Sequence, residues 1–224
     1  MRWRSLVRAS EIYQQREARY DRFYFEYMSL KDAAAWDSDA GPNDDEIEKL
    51  FRFLNQWGTR YRSDADAREG FKQAYVHVLP LLKALQGHTL LEAEFDGGVV
   101  ERMSVLDAVD SIFDKLASCG GRYESTATSK ILHVLHPPLF VMWDAAIRGG
   151  YAVAGRSGDY GGRFLPRMQR QAGEAVDSYI AERKAGPSTA VRELEGLCGG
   201  RALTKVIDEY NYCRFTLSLE ELWR

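Results

Sequence analysis

The sequence predicts an all-α protein, and three observations carry that reading. Apolar residues recur at helical spacing along most of the chain, as in Ile47, Leu50, Phe51, Leu54 and Trp57 and again in Val105, Leu106, Val109, Ile112, Phe113 and Leu116. Capping residues precede those stripes: Asn43 before the first, Ser104 before the second. Only one stretch, Leu90 to Arg102, reads as a candidate β-hairpin, with Asp96-Gly97-Gly98 as its turn, and it reads equally as a helical turn plus a loop.

Taken in order, Ser10 to Trp36 reads as one long helix, closed by Asp37 to Pro42. It carries six aromatics from Tyr13 to Tyr27 among Arg16, Arg19 and Arg22, a pattern that suits either a core face with solvated arginines or a surface for a nucleic-acid strand. The second helix opens at Asn43 with Asp44, Asp45 and Glu46 in its first turn, where the helix dipole favours negative charge, and ends near Gly58. Arg60 and Arg62 follow as a solvated helix end or a phosphate contact. A third helix spans Asp64 to Gln86, with a kink expected at Pro80, which lacks a backbone donor. A fourth starts at Ser104, with Asp107 three residues on as in a capping box, and stops at Cys119-Gly120-Gly121.

Thr126 or Thr128 then caps a short helix that Pro137-Pro138 ends. A strand-like run, Leu139 to Trp143, leads to Asp144 at the start of a further helix. The six glycines between Gly149 and Gly162 predict a mobile or closely approached loop. Phe164 to Arg183 forms another helix, a shorter one begins at Pro187 and ends at Gly199-Gly200, and Leu203, Val206, Ile207 and Tyr210 face inward on the last. Ser218-x-x-Glu221 suggests a final cap. The sum is roughly eight to ten helices with little sheet.

Composition bounds the function. With 224 residues, 45% of them hydrophobic, the chain can bury a core in one large domain or two small lobes. A net charge of −3 gives no general support to nucleic-acid binding, although a local basic patch would suffice. Cys119, Cys198 and Cys213 form no CxxC pair and suit a reducing cytoplasm. His133 and His136 lack companion ligands at zinc spacing, so no metal is expected; they read as packing histidines. GxxxxGK[ST] is absent. The basic N-terminus lacks an apolar h-region and no stretch is long enough to span a bilayer, so a cytoplasmic protein without a membrane partner is expected.

The segment Cys119 to Arg148 carries the chemistry. It comprises a glycine turn, a helix and an apolar run that delivers one carboxylate, Asp144. A charge among apolar residues is costly unless paired or used. By itself Asp144 reads as an N-cap, a common use of aspartate. The layout resembles the helix-hairpin-helix DNA glycosylases, whose hairpin reads roughly Leu-Pro-Gly-x-Gly-x-x-Thr-Ala and is followed by an invariant Asp. Leu116 to Gly121 stand for the first part, Thr126-Ala127 for the Thr-Ala, and Val141-Met142-Trp143-Asp144 for the approach to the acid. The hairpin departs from the pattern in having one extra residue and no second glycine near Tyr123. The run SKILHVLHPPLFVMWD is also similar to a bacterial group of glycosylase-like proteins, some of which act against phages by removing heavily modified cytosines.

The resemblance covers about thirty residues closely. It implies a two-lobed fold, with one lobe at about 43–136 and a second made of 1–42 and 137–224, and a cleft between them near Asp144. It implies a monofunctional glycosylase that needs no cofactor or obligate protein partner. The substrate would be duplex DNA with a flipped modified nucleotide, such as glucosylated hydroxymethylcytosine, and the product an abasic site. Asp144 would be catalytic, with Lys130, Ser125 and Trp143 in support. Gly120, Gly121, Thr126, Arg148, Arg163, Arg167 and Arg170 would contact DNA. Members that also cut the strand carry a lysine just before Thr-Ala, where this chain has Ser125, so base removal without lyase activity is expected; Lys130 is the nearest other amine. Two rival readings are a non-catalytic helix-hairpin-helix DNA-binding or regulatory protein and a purely structural helical one.

Overall fold

The computed structural model describes residues 1–31, 36–95, 97–120 and 122–219, apart from the side chain of Ser188. The chain is helical nearly throughout. Residues Trp3–Arg16 form α1 and Ala18–Leu30 form α2. The single helix expected from Ser10 onward is therefore two, because Glu17 leaves the helical region at φ −116° and ψ 28°. The first helix also starts earlier. Trp3, Leu6, Ala9, Ser10 and Tyr13 make one buried face, and Ser10 lies within it rather than capping it.

Asn43 and Ser104 cap as expected, and Asp64, expected as a helix start, is a third cap. Asn43 accepts the Glu46 N–H at 3.0 Å and starts α3, Asp44–Gln56; Asp64 accepts the Ala67 N–H at 2.9 Å and starts α4, Ala65–Leu85, which continues through Pro80. Ser104 accepts the Asp107 N–H at 3.0 Å and starts α5, Val105–Ser118. The hairpin exists but sits further along than its glycines suggested. β1, Val99–Val100, pairs antiparallel with β2, Met103–Ser104. Its turn is Glu101-Arg102, both at positive φ, as a two-residue hairpin turn demands, yet neither residue advertises it. Asp96, part of the expected turn, lies outside the described residues.

After α5 come α6, Ser125–Leu135, and α7, Ala145–Tyr151. The capping expectation at Thr126 or Thr128 fails: the helix starts at Ser125, Glu124 precedes it without a side-chain cap, and the Thr128 hydroxyl donates back to the Glu124 carbonyl at 2.9 Å. The glycine-rich stretch is largely helical rather than a loop. α7 runs through Gly149 and Gly150, and a turn at Ser157–Asp159 passes through a π-helical turn, Tyr160–Phe164, into α8, Leu165–Arg183. Gly150 and Gly161 serve close approach: a Cβ would lie 2.2 Å from the Phe215 ring at the first and 2.4 Å from Asp110 Oδ1 at the second. Pro187–Leu197 form α9 and Leu203–Asn211 form α10, which ends in a second π-helical turn, Tyr212–Thr216. Of the final cap expected at Ser218-x-x-Glu221, Ser218 stands at φ 54° and Glu221 lies outside the described residues.

Packing joins distant parts of the chain. α1 lies against α8, α9 and α10, while α2 packs on α3, α3 on α4 and α6, and α5 on α4 and α6. The buried apolar side chains form one continuous cluster across these helices. Among the described residues no helix is long and apolar enough to cross a membrane.

Residues 139–143 lead to the carboxylate without joining a sheet. All five side chains are buried, and the backbone leaves a turn at Leu139, where the Leu139 and Phe140 N–H groups donate to the His136 carbonyl at 3.2 and 3.3 Å, and continues without a partner strand. Side chains replace the missing ladder. His133 donates from Nδ1 to the Phe140 carbonyl at 2.7 Å, Tyr160 donates to Val141 at 2.8 Å, and the Ser129 hydroxyl bonds both the N–H and the carbonyl of Trp143 at 3.2 Å. Burial pushes the pKa of His133 down to about 3, so the ring is neutral and its Nε2 accepts from the Tyr24 hydroxyl at 3.1 Å.

Gly70 sets how closely α4 meets the end of α5. A Cβ there would stand 2.7 Å from the Cys119 carbonyl oxygen, which is backbone and cannot swing aside. Gly70→Ala should therefore cost about 1–3 kcal/mol despite the better helix propensity of alanine, read as a lower urea midpoint.

Candidate functional site

Asp144 is the N-cap of α7. Its Oδ1 accepts the Ile147 N–H at 2.8 Å, and its Oδ2 accepts the Thr216 hydroxyl at 2.8 Å. Two bonds fix the carboxylate, but each oxygen has a second lone pair, and the residue is only half-buried. It stands on the wall of a cleft of about 260 Å³. That volume lies just below the range of about 300–1,000 Å³ typical of small-molecule sites.

Five aromatic residues, Tyr13, Tyr20, Trp57, Trp143 and Tyr212, line the cleft together with Thr126, Lys130 and Asp208. Trp57 is fixed by donating from Nε1 to the Tyr20 carbonyl at 2.9 Å, which ties the turn after α3 to α2. Lys130, from α6, donates from Nζ to the Trp57 carbonyl at 2.9 Å and lies 5.0 Å from that ring's centre. Burial lowers its pKa to about 8, against the pull of Asp208 and Asp144.

Asp208 belongs to a buried ionic group on α10, a helix buried along its whole length. Lys205 Nζ lies 3.2 Å from both Asp208 Oδ2 and Glu209 Oε1, and 4.2 Å from the centre of the Tyr13 ring. Burial works against the Lys205 charge, but Glu209, Tyr13 and Asp208 outweigh it and push its pKa up. Arg201 bridges Glu209 at 3.2 Å and Asp21 at 2.5 Å, and the Ser10 hydroxyl donates to Glu209 at 2.6 Å. Burial, helped by Glu209 and Asp144, raises the Asp208 pKa to about 6 although Lys205 opposes it.

Of the residues singled out in sequence, Asp144, Lys130, Thr126 and Trp143 meet at the cleft. Trp143 is a core residue before it is a wall: it is 1% exposed and packs against Phe113, Tyr160 and Phe164. Ser125 is buried; its carbonyl accepts from Trp143 Nε1 at 3.2 Å and its hydroxyl from Arg148 at 3.5 Å. Arg148 lies over the Trp143 ring at 5.8 Å and braces this corner rather than lining the cleft.

Gly120 is half-buried at the end of α5, beside Cys119, whose thiol meets the Tyr61 hydroxyl at 3.3 Å. Gly121 lies outside the described residues. Arg122 pairs with Glu124 just ahead of α6. Arg163 pairs with Asp159 at 3.0 Å, Arg167 lies over the Tyr151 ring at 4.6 Å, and Arg170 is exposed; none of the three lines the cleft. His136 donates to the His88 carbonyl at 2.8 Å, a packing role. Among the described residues no cluster of three His, Cys, Asp or Glu side chains could hold a metal ion.

Sequence reasoning missed Asp208, Thr216 and the aromatic wall. One signal for Asp208 was present: Lys205, Asp208 and Glu209 interrupt an otherwise apolar stripe, and charges on a buried helix must pair with one another. No family model matches the chain, and neither a curated protein nor a solved structure matches it.

The raised Asp208 pKa has a consequence for stability. Relative to an unfolded value near 3.8, the folded group favours its neutral form, so its contribution is fully present below that value and is lost as pH rises through about 6. Asp208→Asn should remove this dependence. Between pH 4 and pH 7 the variant should gain on the order of 2 kcal/mol relative to the parent, measured by urea unfolding at both pH values.

Proposed function

We propose that this chain is a monofunctional DNA glycosylase of the helix-hairpin-helix kind, acting on a modified base in duplex DNA, and that Asp144 is its catalytic carboxylate. The observation that supports the reading is the position of Asp144: half-exposed, oriented by two hydrogen bonds, on the wall of an aromatic cleft that also holds Lys130 and Asp208. The two-lobed arrangement belongs to the same proposal. α5, Gly120 and α6 form the hairpin, with the packing of α1 on α8, α9 and α10 making up the other lobe.

The chemistry follows from the reaction. A base inside a duplex is out of reach, so the nucleotide must leave the stack. The aromatic wall of Tyr20, Trp57 and Tyr212 offers π faces to receive it, and Lys130 and Asp208 offer a donor and an acceptor to orient it. As the bond between C1′ and the base nitrogen breaks, its electron pair leaves with the base and positive charge builds on the sugar. The Asp144 carboxylate stabilises that charge. Water then adds to C1′ and gives up a proton, leaving an abasic site. A heavily modified cytosine, such as a glucosylated hydroxymethylcytosine of phage DNA, is the proposed target, and phage defence the proposed role. The proposal places the protein in the cytoplasm, where phage DNA is met.

Ser125 offers no amine to the sugar. Lys130 does carry one into the cleft, but its Nζ is held on the Trp57 carbonyl, and with a pKa of about 8 it is mostly charged at neutral pH. Hydrolysis without strand cleavage follows, and borohydride should trap no covalent complex between protein and DNA.

The direct test is base release from modified and plain duplexes, read as alkali-labile sites. Activity is expected on at least one modified DNA, falling by at least about 10²-fold in Asp144→Asn with the thermal midpoint kept. Salt-sensitive DNA binding without base release from any substrate would instead identify a non-catalytic binding protein.

A further inference from the structure

A second cavity, of about 470 Å³, opens beside the cleft and differs from it in chemistry. Three arginines line it: Arg19 on α2, Arg52 on α3 and Arg68 on α4. Asn55, Gln56 and Ser63 add neutral donors, and Glu48 is the single acid, spoken for by Arg68 at 3.4 Å. No carboxylate of the described residues pairs with Arg19 or Arg52. Many other exposed arginines are paired, among them Arg4 with Glu182, Arg22 with Glu26, Arg62 with Asp64 and Arg163 with Asp159. In a chain of net charge −3, two guanidinium groups without a carboxylate partner, one of them 5.3 Å from the centre of the Phe23 ring, beside a half-buried third concentrate positive charge in one place.

The two cavities share no lining residue, but sequence neighbours line them. Arg19 lines the basic one and Tyr20 the aromatic one; Asn55 and Gln56 line the basic one and Trp57 and Gly58 the aromatic one. The bond from Trp57 Nε1 to the Tyr20 carbonyl locks these two segments together. A strand with one nucleotide in the cleft would carry its next phosphates across Arg19 and Arg52.

We propose that the groove of Arg19, Arg52 and Arg68 binds the sugar-phosphate backbone of the DNA strand whose nucleotide enters the Asp144 cleft. The proposal rests on the glycosylase reading only for its choice of partner. It moves the main backbone contact from Arg163, Arg167 and Arg170, which do not line the cleft, to the opposite end of the chain. Arginine suits the task because its planar fork can meet two phosphate oxygens at once.

The test is binding of a fluorescent duplex by the full chain, followed by anisotropy across a salt series. Each phosphate contact contributes about 0.9 to the slope of log affinity against log salt. The double variant Arg19→Gln, Arg52→Gln should lower that slope by roughly 1.8, whereas Arg163→Gln, Arg170→Gln should leave it unchanged. Glu48→Gln, which frees Arg68, should tighten binding. All three pairs or residues are exposed, so melting temperatures should hold. An unchanged slope in the Arg19 and Arg52 double variant, an equal drop in the control pair, or no DNA binding by the parent protein overturns the proposal. Failure of the catalytic reading looks different: the slope would follow Arg19 and Arg52 while no base is released from any DNA.

Discussion

The cleft depends on one constraint: residues 139–143 run through the core with no strand beside them. A buried peptide group left unpaired costs as much as a lost hydrogen bond, so beyond the two N–H groups that the His136 carbonyl accepts, the path relies on side chains from two helices. His133 and Ser129 do so from α6 and Tyr160 from the π-helical turn before α8. The same bonds set where Asp144 emerges. α6 thus has two jobs: one face holds the run that delivers the acid, and Lys130 and Thr126 reach the cavity the acid overlooks.

Beneath this lies an ionic group that would be expensive anywhere else. Lys205, Asp208, Glu209, Arg201 and Asp21 are all mostly buried, and each finds a counter-charge. Such groups seldom add stability over apolar packing, but removing one partner strands the others. Here they also fix the electrostatics of the cleft floor. A carboxylate with its pKa near 6 and an amine with its pKa near 8 face the same space, both displaced by burial and both restrained by opposite charge.

Much of the helical architecture was legible in the sequence because it rests on local rules. Asn43, Asp64 and Ser104 cap the helices they precede, and the stripes from Ile47 and Val105 are buried as their spacing requires. Asp144 stood out because a charge following the apolar run Leu139 to Trp143 is costly unless paired or used, and it caps α7 as aspartate commonly does. What failed was decided by tertiary contact. The break at Glu17 has no glycine or proline to announce it. The turn at Glu101-Arg102 takes positive φ with residues that rarely adopt it. Glycines that read as a loop are helical positions pressed against neighbours, such as Gly150 under Phe215. The cleft itself was invisible, because its walls come from α1, α2, the turn after α3, α6, α10 and the π-helical turn beyond, which only folding brings together.

The bond between Ser10 and Glu209 joins residues 199 positions apart, and the pairing of Asp21 with Arg201 joins residues 180 apart. Contacts that distant must wait for loop closure and form slowly. A chain emerging from the ribosome would hold the hairpin and the acid long before α10 could supply the floor beneath them. Until that late docking, aromatic side chains such as Tyr13, Tyr24 and Trp57 have no lid, and the half-made protein is vulnerable to aggregation. The cleft would thus be completed in one step, when α10 docks.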